Sequence, residues 1–382
     1  MIGRRVPPTY SPLTIRALVG GLVSSSRSGD SEQLLTVLRR KYHSDHVVLC
    51  DSGTSALTLA LHVASDGAPT SVVALPAYGC YDLATAAIAI GAKVVLYDLD
   101  PETLGPDPIS FRRALGEGPR AVVVAYIYGI PFDIATLRQQ AVAAGAVLVE
   151  DAAQGFGASV GGMPCGGIGS LGVLSFGRGK GVTGGGGGAL LMQDAAGDAV
   201  GRLPAGVGWS GWAKTVIQWA LARPTWYGLP ASIPFLRLGE TVYRAPTPPR
   251  SMPGMHQEVL LRLLPAVERE AERRRSNGHQ LVEKVALAPG VQPIAVSAGI
   301  AGYLRFPVLT SDRRFRSSGA RRLGVMPGYP RRMADLEVLR PHIRNRNADF
   351  PGAKRLVDEL VTLPTHSQLT AKDQARLASL IG

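Results

Sequence analysis

Cysteine is scarce: Cys50, Cys80 and Cys165 are the only three in 382 residues. An odd count at wide spacing, without a CxxC pair, excludes a disulfide framework and offers no zinc-ligand pattern, so no metal is expected. No apolar run reaches the roughly 18 residues that cross a bilayer. The opening residues, Met1 to Pro8, carry charge but no apolar stretch follows them, so no signal peptide is read and a cytoplasmic protein is expected. Aromatic residues make up only 6%, and all four tryptophans fall within residues 209–226. Acid is in short supply against base, 29 Asp and Glu facing 41 Lys and Arg, for a net charge of +12. That excess suits anionic partners, or is simply a solvated basic surface. The arginines gather in the C-terminal third without any recognisable nucleic-acid motif, so nucleic acid is not expected as a partner.

The apolar fraction of 46% and the length support a large core and more than one domain. Strand-like runs alternate with helix-like runs from Val47 to Met192. The strand candidates are Val47–Cys50, Ser71–Leu75, Ala92–Tyr97, Ala121–Tyr126, Ala146–Val149, Leu171–Phe176 and Ala189–Met192. Such alternation predicts a mainly parallel sheet with helices on both faces. Residues 1–30 read as an arm with one short helix, 31–250 as a large α/β domain and 251–382 as a smaller α+β domain. In the last of these a helix is expected from Met255 to Leu287, kinked at Pro265, with Glu268–Arg275 as its solvated face. A second helix is expected over Arg313–Leu323. The Trp-rich stretch 209–238 is either an amphipathic face for a membrane or partner, or a helix packed on its own domain or a second subunit.

The chemistry concentrates in one stretch. Ala146–Val149 delivers Glu150 and Asp151 to a strand end, followed by Ala152, Ala153 and Gln154. Downstream, Ser175-Phe176-Gly177-Arg178-Gly179-Lys180 precedes a glycine run at 184–188. A lysine among small residues has room for an attached group. A carboxylate at a parallel-strand terminus lies where α/β folds hold ligands. Pyridoxal phosphate needs such a pair, a lysine that carries it and an acid facing its ring nitrogen. Upstream, Asp51-Ser52-Gly53-Thr54-Ser55 joins a strand to a helix and reads as a phosphate cradle or as an ordinary helix cap.

On these residues the chain resembles the DegT/DnrJ/EryC1/StrS family of sugar aminotransferases. The matching pieces are Ser52 to Leu57, Pro76 through Ala92, Tyr128-Gly129 with Pro131, Glu150 to Gln154, Ser175-Phe176 with Lys180, Gly187 to Ala189, and Leu363 to His366. The resemblance implies a fold-type-I architecture, a seven-stranded, mainly parallel sheet with a smaller C-terminal α+β domain. It implies pyridoxal 5′-phosphate carried by Lys180, with Asp151 at the pyridinium nitrogen and Gln154 beside the phenolic oxygen. Gly53, Thr54, Ser55 and Ser175 match the phosphate cradle. A homodimer with sites at the interface is implied, with glutamate or glutamine as donor and a keto sugar, nucleotide-linked, as acceptor.

The chain departs from the family pattern at several positions. An ungapped match puts Cys80 where an aromatic ring stacks on the cofactor, with Tyr81 next to it as the candidate ring. Gly186 replaces a family Glu. No Asn-containing motif precedes Met252, and Arg250 is the candidate for the partner-subunit contact to the phosphate. Two alternatives stand beside the leading function. One is a cofactor-dependent enzyme acting on a cyclitol or other ketone. The other is a non-catalytic, membrane-associated member of the family.

Overall fold

The structure is a computed structural model that describes residues 4–23, 31–68, 70–193, 200–206, 215–217, 219, 223, 227 and 241–382. Its first elements are α1 (Ile15–Val23), α2 (Glu32–Tyr42), β1 (His46–Cys50), α3 (Gly53–Ala64), β2 (Val72–Pro76), α4 (Asp82–Ala89) and β3 (Lys93–Tyr97). There follow α5 (Pro108–Leu115), β4 (Ala121–Ala125), α6 (Ile134–Ala143), β5 (Val147–Asp151), a hairpin of β6 (Ser159–Val160) and β7 (Met163–Pro164), β8 (Leu171–Ser175) and β9 (Gly188–Met192). Short polar side chains start these helices. Ser31, Ser52, Asp107 and Asp133 each accept a first-turn amide, as residues at helix N-caps do.

The seven large-sheet strands lie in the order β1-β9-β8-β5-β4-β2-β3. Only β9 runs against its neighbours, so the sheet is mainly parallel, as the alternation predicted. Strands β8 and β9 are buried along their whole length, matching their unbroken apolar sequences. The chain passes from β3 at one edge back to β4 beside β2. That reversal makes a switch point between β2 and β4, and α/β sheets hold ligands beyond the carboxyl ends of their strands near such a point.

The long helix α7 (Gly254–Val285) follows, continuing for 32 residues through Pro265. Val259, Leu260, Leu263, Val267 and Ala271 form its buried stripe. Contrary to expectation, 268–275 is not a solvated face throughout. Glu270 and Arg274 are buried, because the helix is covered there by the lysine loop and by residues 156 and 302. Beyond it lie β10 (Gln292–Pro293), β11 (Phe306–Leu309), α8 (Ser318–Arg322), β12 (Met326–Pro327), α9 (Pro351–Glu359), β13 (Leu360–Leu363) and α10 (Ala371–Ile381). The strands form an antiparallel sheet, β10-β11-β13-β12. The helix expected over 313–323 is split. Ser317 leaves the helical region, and its hydroxyl caps α8 by accepting from the Ala320 amide at 3.1 Å.

The two sheets are tied together by buried polar contacts. Asp98, just past β3, accepts from the Gly352 and Ala353 amides at the start of α9, both at 2.7 Å. Asn345 pairs with both backbone groups of Leu96, at 3.0 and 2.8 Å, and so covers the exposed edge of β3. The N-terminal arm lies across the small sheet. Its Val6 amide donates to Arg322 O at 2.9 Å, and His366 Nε2 lies 2.8 Å from Pro7 O. Among the described residues no helix is long and apolar enough to cross a membrane. Most of the 209–238 segment lies outside the described residues; within it the Arg223 guanidinium sits 4.2 Å from the Trp219 ring centre.

Candidate active site

Successive residues of β5 point to opposite faces, and this splits the two carboxylates into different roles. Glu150 is fully buried and accepts from Tyr126 OH at 2.5 Å, Gly166 N at 2.8 Å, Ile168 N at 2.7 Å and the Gly169 amide. It fastens the loop before β8. Asp151 is half-buried at the crevice, with Oδ1 accepting from Ala153 N at 3.0 Å. Burial pushes its carboxyl up from the ordinary value, while the charge of Lys180 pulls it back and Asp82 opposes that.

Lys180 lies on the loop between β8 and β9. Gly179 and Gly181 on either side adopt φ of 79° and 76°, the left-handed region where a side chain is strained. A Cβ on Gly181 would also stand 2.5 Å from Arg274 Nη1. Arg274, on α7, is 1% exposed and donates to Gly181 O at 3.3 Å, Phe156 O at 3.1 Å and, more weakly, Gly302 O at 3.4 Å. Burial lowers it to about 10, so it stays charged at neutral pH. A fixed cation therefore holds the residue after Lys180, and nothing in the linear pattern marked Arg274 for that task.

The residues expected as the phosphate cradle meet where α3 begins. A Cβ on Gly53 would lie 2.7 Å from Ser175 Cβ, so only glycine lets the helix N-terminus approach the end of β8 this closely. Thr54 is half-exposed at that opening. Ser55 is buried and turned inward; its hydroxyl donates to Asp51 Oδ1 at 2.6 Å and its amide to Ser52 Oγ at 3.0 Å. Its hydroxyl thus serves the helix cap, while Thr54 is half-exposed and Ser175 is buried at the end of β8. Arg250 runs beside the cradle, its carbonyl accepting from Asp51 N at 2.8 Å. Its side chain is exposed and donates to Ala205 O at 3.2 Å.

Of the neighbours Cys80 and Tyr81, it is the thiol that lies beside the Lys180–Asp151 pair. Cys80 Sγ donates to Asp82 Oδ2 at 3.3 Å. Burial drives the thiol up to about 12, with Asp82 adding to the rise and the charge of Lys180 opposing it. Tyr81 is 4% exposed and feels Arg331 and Asp335 instead. As the residue leading into α4, Tyr81 lies near both Cys80 and the 331–335 segment. Rings do reach this end of the sheet, from elsewhere in the chain. Gln154 Oε1 accepts from Tyr128 N at 2.9 Å, and its Nε2 donates to Tyr329 OH at 2.6 Å. The Tyr128 and Tyr329 rings stack 6.1 Å apart, and Tyr78 OH accepts from Tyr329 N at 2.8 Å. Tyr329 was not read from the sequence, for it lies far along the chain in the small-sheet region. At Gly186, a Cβ would meet His256 Cε1 at 2.9 Å; a buried imidazole fills the space where the family carries Glu.

The donor set suits pyridoxal phosphate: an amine, an acid within its electrostatic reach, and a glycine-opened cradle with two hydroxyls at a helix N-terminus. A family model described as the DegT/DnrJ/EryC1/StrS aminotransferase family matches residues 21–381. The chain belongs to that family. Among curated relatives, an L-glutamine:2-deoxy-scyllo-inosose aminotransferase of Streptomyces kanamyceticus is 36% identical over 149 residues, 39% of this chain and 35% of that protein. Its namesake from Streptomyces paromomycinus is 33% identical over 197 residues, 49% of this chain and 46% of that protein. A dTDP-4-dehydro-2,3,6-trideoxy-D-glucose 4-aminotransferase of Saccharopolyspora spinosa is 33% identical over 150 residues, 39% of each chain. These matches span less than half the length of the relatives. Among solved structures, the sugar aminotransferase CalS13 from Micromonospora echinospora superposes with a TM-score of 0.77 at 21% identity, covering 98% of this chain and 99% of that one. An E. coli GDP-4-keto-6-deoxy-D-mannose-3-dehydratase with bound hydrated PLP gives 0.77 at 16% identity, covering 99% and 100%. At such identities the likeness establishes the DegT-family fold.

Proposed function

We propose that the chain is a pyridoxal-phosphate-dependent aminotransferase. It moves an amino group from glutamine or glutamate to the carbonyl of a cyclic polyhydroxylated ketone, either a nucleotide-linked keto sugar or a cyclitol ketone. The observation that carries this reading is the pairing of Asp151, at the end of β5, with Lys180, on the loop that leaves the neighbouring β8, near enough for the lysine's charge to act on the carboxyl. The names of the relatives support it, since they pair glutamine with inososes and an amino group with a dTDP-linked ketone.

When bound, the cofactor supplies a ring that draws electrons from the reacting carbon. In this reading Asp151 keeps its charge facing the ring nitrogen, helped by Lys180. Lys180 holds the cofactor and, once released, moves a proton at its Nζ. Arg274, bonded to the Gly181 carbonyl, holds the backbone that carries Lys180. Thr54 and Ser175 receive the phosphate, with Gly53 giving it room and Ser55 holding the turn. Gln154 stands beside the phenolic oxygen, braced by Tyr329 and the Tyr128 amide. We further propose a cytoplasmic homodimer in which Arg250 reaches the partner's phosphate. Ile15, Val19 and Val23 support such pairing, since they leave one face of α1 apolar and more than half exposed.

The test is spectroscopic. Purified protein given pyridoxal phosphate should show a visible cofactor band that L-glutamine bleaches, and Lys180→Ala should lose both band and turnover. A Lys180→Ala protein that keeps band and turnover would sink the assignment. Gel filtration at the mass of one chain would remove the dimer.

A further inference from the structure

Gln154 lies half-buried on the loop beyond Asp151, and two partners fix which way round its side-chain amide sits. The Tyr128 main-chain N–H can only donate, so the atom 2.9 Å from it must be the amide oxygen, Oε1. Nε2 is therefore on the other side, where one of its two N–H groups donates to Tyr329 OH at 2.6 Å. Among the described residues its second N–H takes no partner. The Tyr329 hydroxyl is itself held in place. Just past β12, Gly328 N donates to Leu360 O of β13 at 2.9 Å, and Tyr329 N donates to Tyr78 OH at 2.8 Å. A Cβ on Gly328 would lie 2.1 Å from Tyr78 OH, so any side chain there would push the two segments apart. The Tyr78 ring meets that of Tyr329 edge-on at 5.4 Å, and the Tyr128 ring stacks on it at 6.1 Å. Burial pushes the Tyr329 phenol well above its ordinary value; Cys80, Tyr128 and Tyr78 add to the rise and the Gln154 hydrogen bond opposes it. Arg305 stands in the field of both the Tyr128 and Tyr329 phenols. The phenol thus keeps its proton at neutral pH and meets Gln154 as an acceptor.

We propose that Tyr329 is a positioning residue for the cofactor: by taking one N–H of Gln154, it turns the other toward the cofactor's phenolic oxygen. The proposal rests on the aminotransferase reading for the cofactor and for Gln154 beside that oxygen. The direction of the amide rests on its hydrogen bonds alone. The direction matters because a donor aimed at the oxygen favours its anion, whereas a flipped amide would aim an acceptor there and disfavour it. Gln154 belongs to the large sheet and Tyr329 to the region of the small one. The seating of one sheet on the other therefore reaches the charge on the cofactor's oxygen.

The experiment is a pH titration of the visible band of protein loaded with pyridoxal phosphate, in wild type, Tyr329→Phe, Gln154→Leu and the double variant. Phenylalanine keeps the stacked ring and the main-chain bond to Tyr78 and removes only the hydroxyl. When the bound cofactor loses its proton, negative charge is left on the phenolic oxygen, and a fixed N–H stabilises that charge. Loosening the donor should therefore raise the midpoint of the titration, by about half a pH unit or more in Tyr329→Phe. In the Gln154→Leu background the same change should add little, since the two residues act as one unit. An unmoved midpoint in Tyr329→Phe would make the hydroxyl a packing group and overturn the proposal. An equal shift in both backgrounds would show that Tyr329 acts without Gln154, and would overturn it too. A wild type that forms no band overturns the aminotransferase reading and the proposal with it, whereas a wild-type band that Tyr329→Phe leaves unmoved removes the proposal alone.

Discussion

Glu150 and Asp151 are adjacent, both acidic and both near a strand end, yet their surroundings give them unrelated work. Glu150 is enclosed by amide and phenol donors. Replacing it with Gln removes the anion that those donors converge on and sets an N–H group against them. Glu150→Gln should lower the urea unfolding free energy by about 1–3 kcal/mol, with the cofactor chemistry of the surviving folded fraction retained. Asp151→Asn should do the reverse, leaving the urea midpoint of the cofactor-free protein nearly unchanged while turnover collapses. Cys80 offers a test at the same scale. A thiol pushed to about 12 is almost wholly protonated at neutral pH. Iodoacetamide at pH 8 should therefore label the folded protein far more slowly than a free thiol, and label every cysteine in urea. Lys180 and Asp151 were legible in the sequence because the chemistry demands those residue types. Arg274 and Tyr329 were not, because each acquires its place only from contacts across the fold, and a helical arginine among charges reads as solvated until something is packed on it.

At the scale of elements, the approach of α3 to β8 is the contact on which the cradle depends. Gly53→Ala would place a methyl group 2.7 Å from Ser175 Cβ and 2.8 Å from its Oγ. Overpacking of this kind costs about 1–3 kcal/mol, and the helix N-terminus must back away from the opening. The expected outcome is a weaker affinity for pyridoxal phosphate by equilibrium dialysis, larger in proportion than the loss of thermal stability. The long strands were readable because a parallel strand covered on both faces is an unbroken apolar run, as in Ala121–Val124. The two-residue strands β6, β7, β10 and β12 were not, since two residues display no period. The break at Ser317 escaped for a related reason: a serine inside a helical pattern becomes a cap only when its hydroxyl turns back onto the next turn.

Across the whole molecule, the arm, the small sheet and α10 are joined through His366. It is 1% exposed, lies against Pro7 O through Nε2, and accepts from Gln368 N at its Nδ1 at 3.2 Å. That pairing makes Nε2 the protonated nitrogen. Burial lowers the ring to about 4, from an unfolded value of 6.5. Between these values the unfolded chain binds a proton that the folded chain does not, so stability falls as pH drops through that window. The loss is about 3 kcal/mol by pH 4. Thermal melts of wild type and His366→Gln from pH 7 to pH 4 should converge at the acid end, and parallel curves would show that the ring does not titrate this way.

The loop that carries Lys180 has the N-terminal arm beside it at Gly179, near Thr9, and is held by Arg274 on the carbonyl of Gly181. During synthesis the lysine leaves the ribosome long before residue 274 does. The strands behind it can pair early, but the loop lacks its Arg274 contact until α7 has been made. Capture of the cofactor therefore waits for that helix, and a chain truncated before Arg274 should emerge colourless.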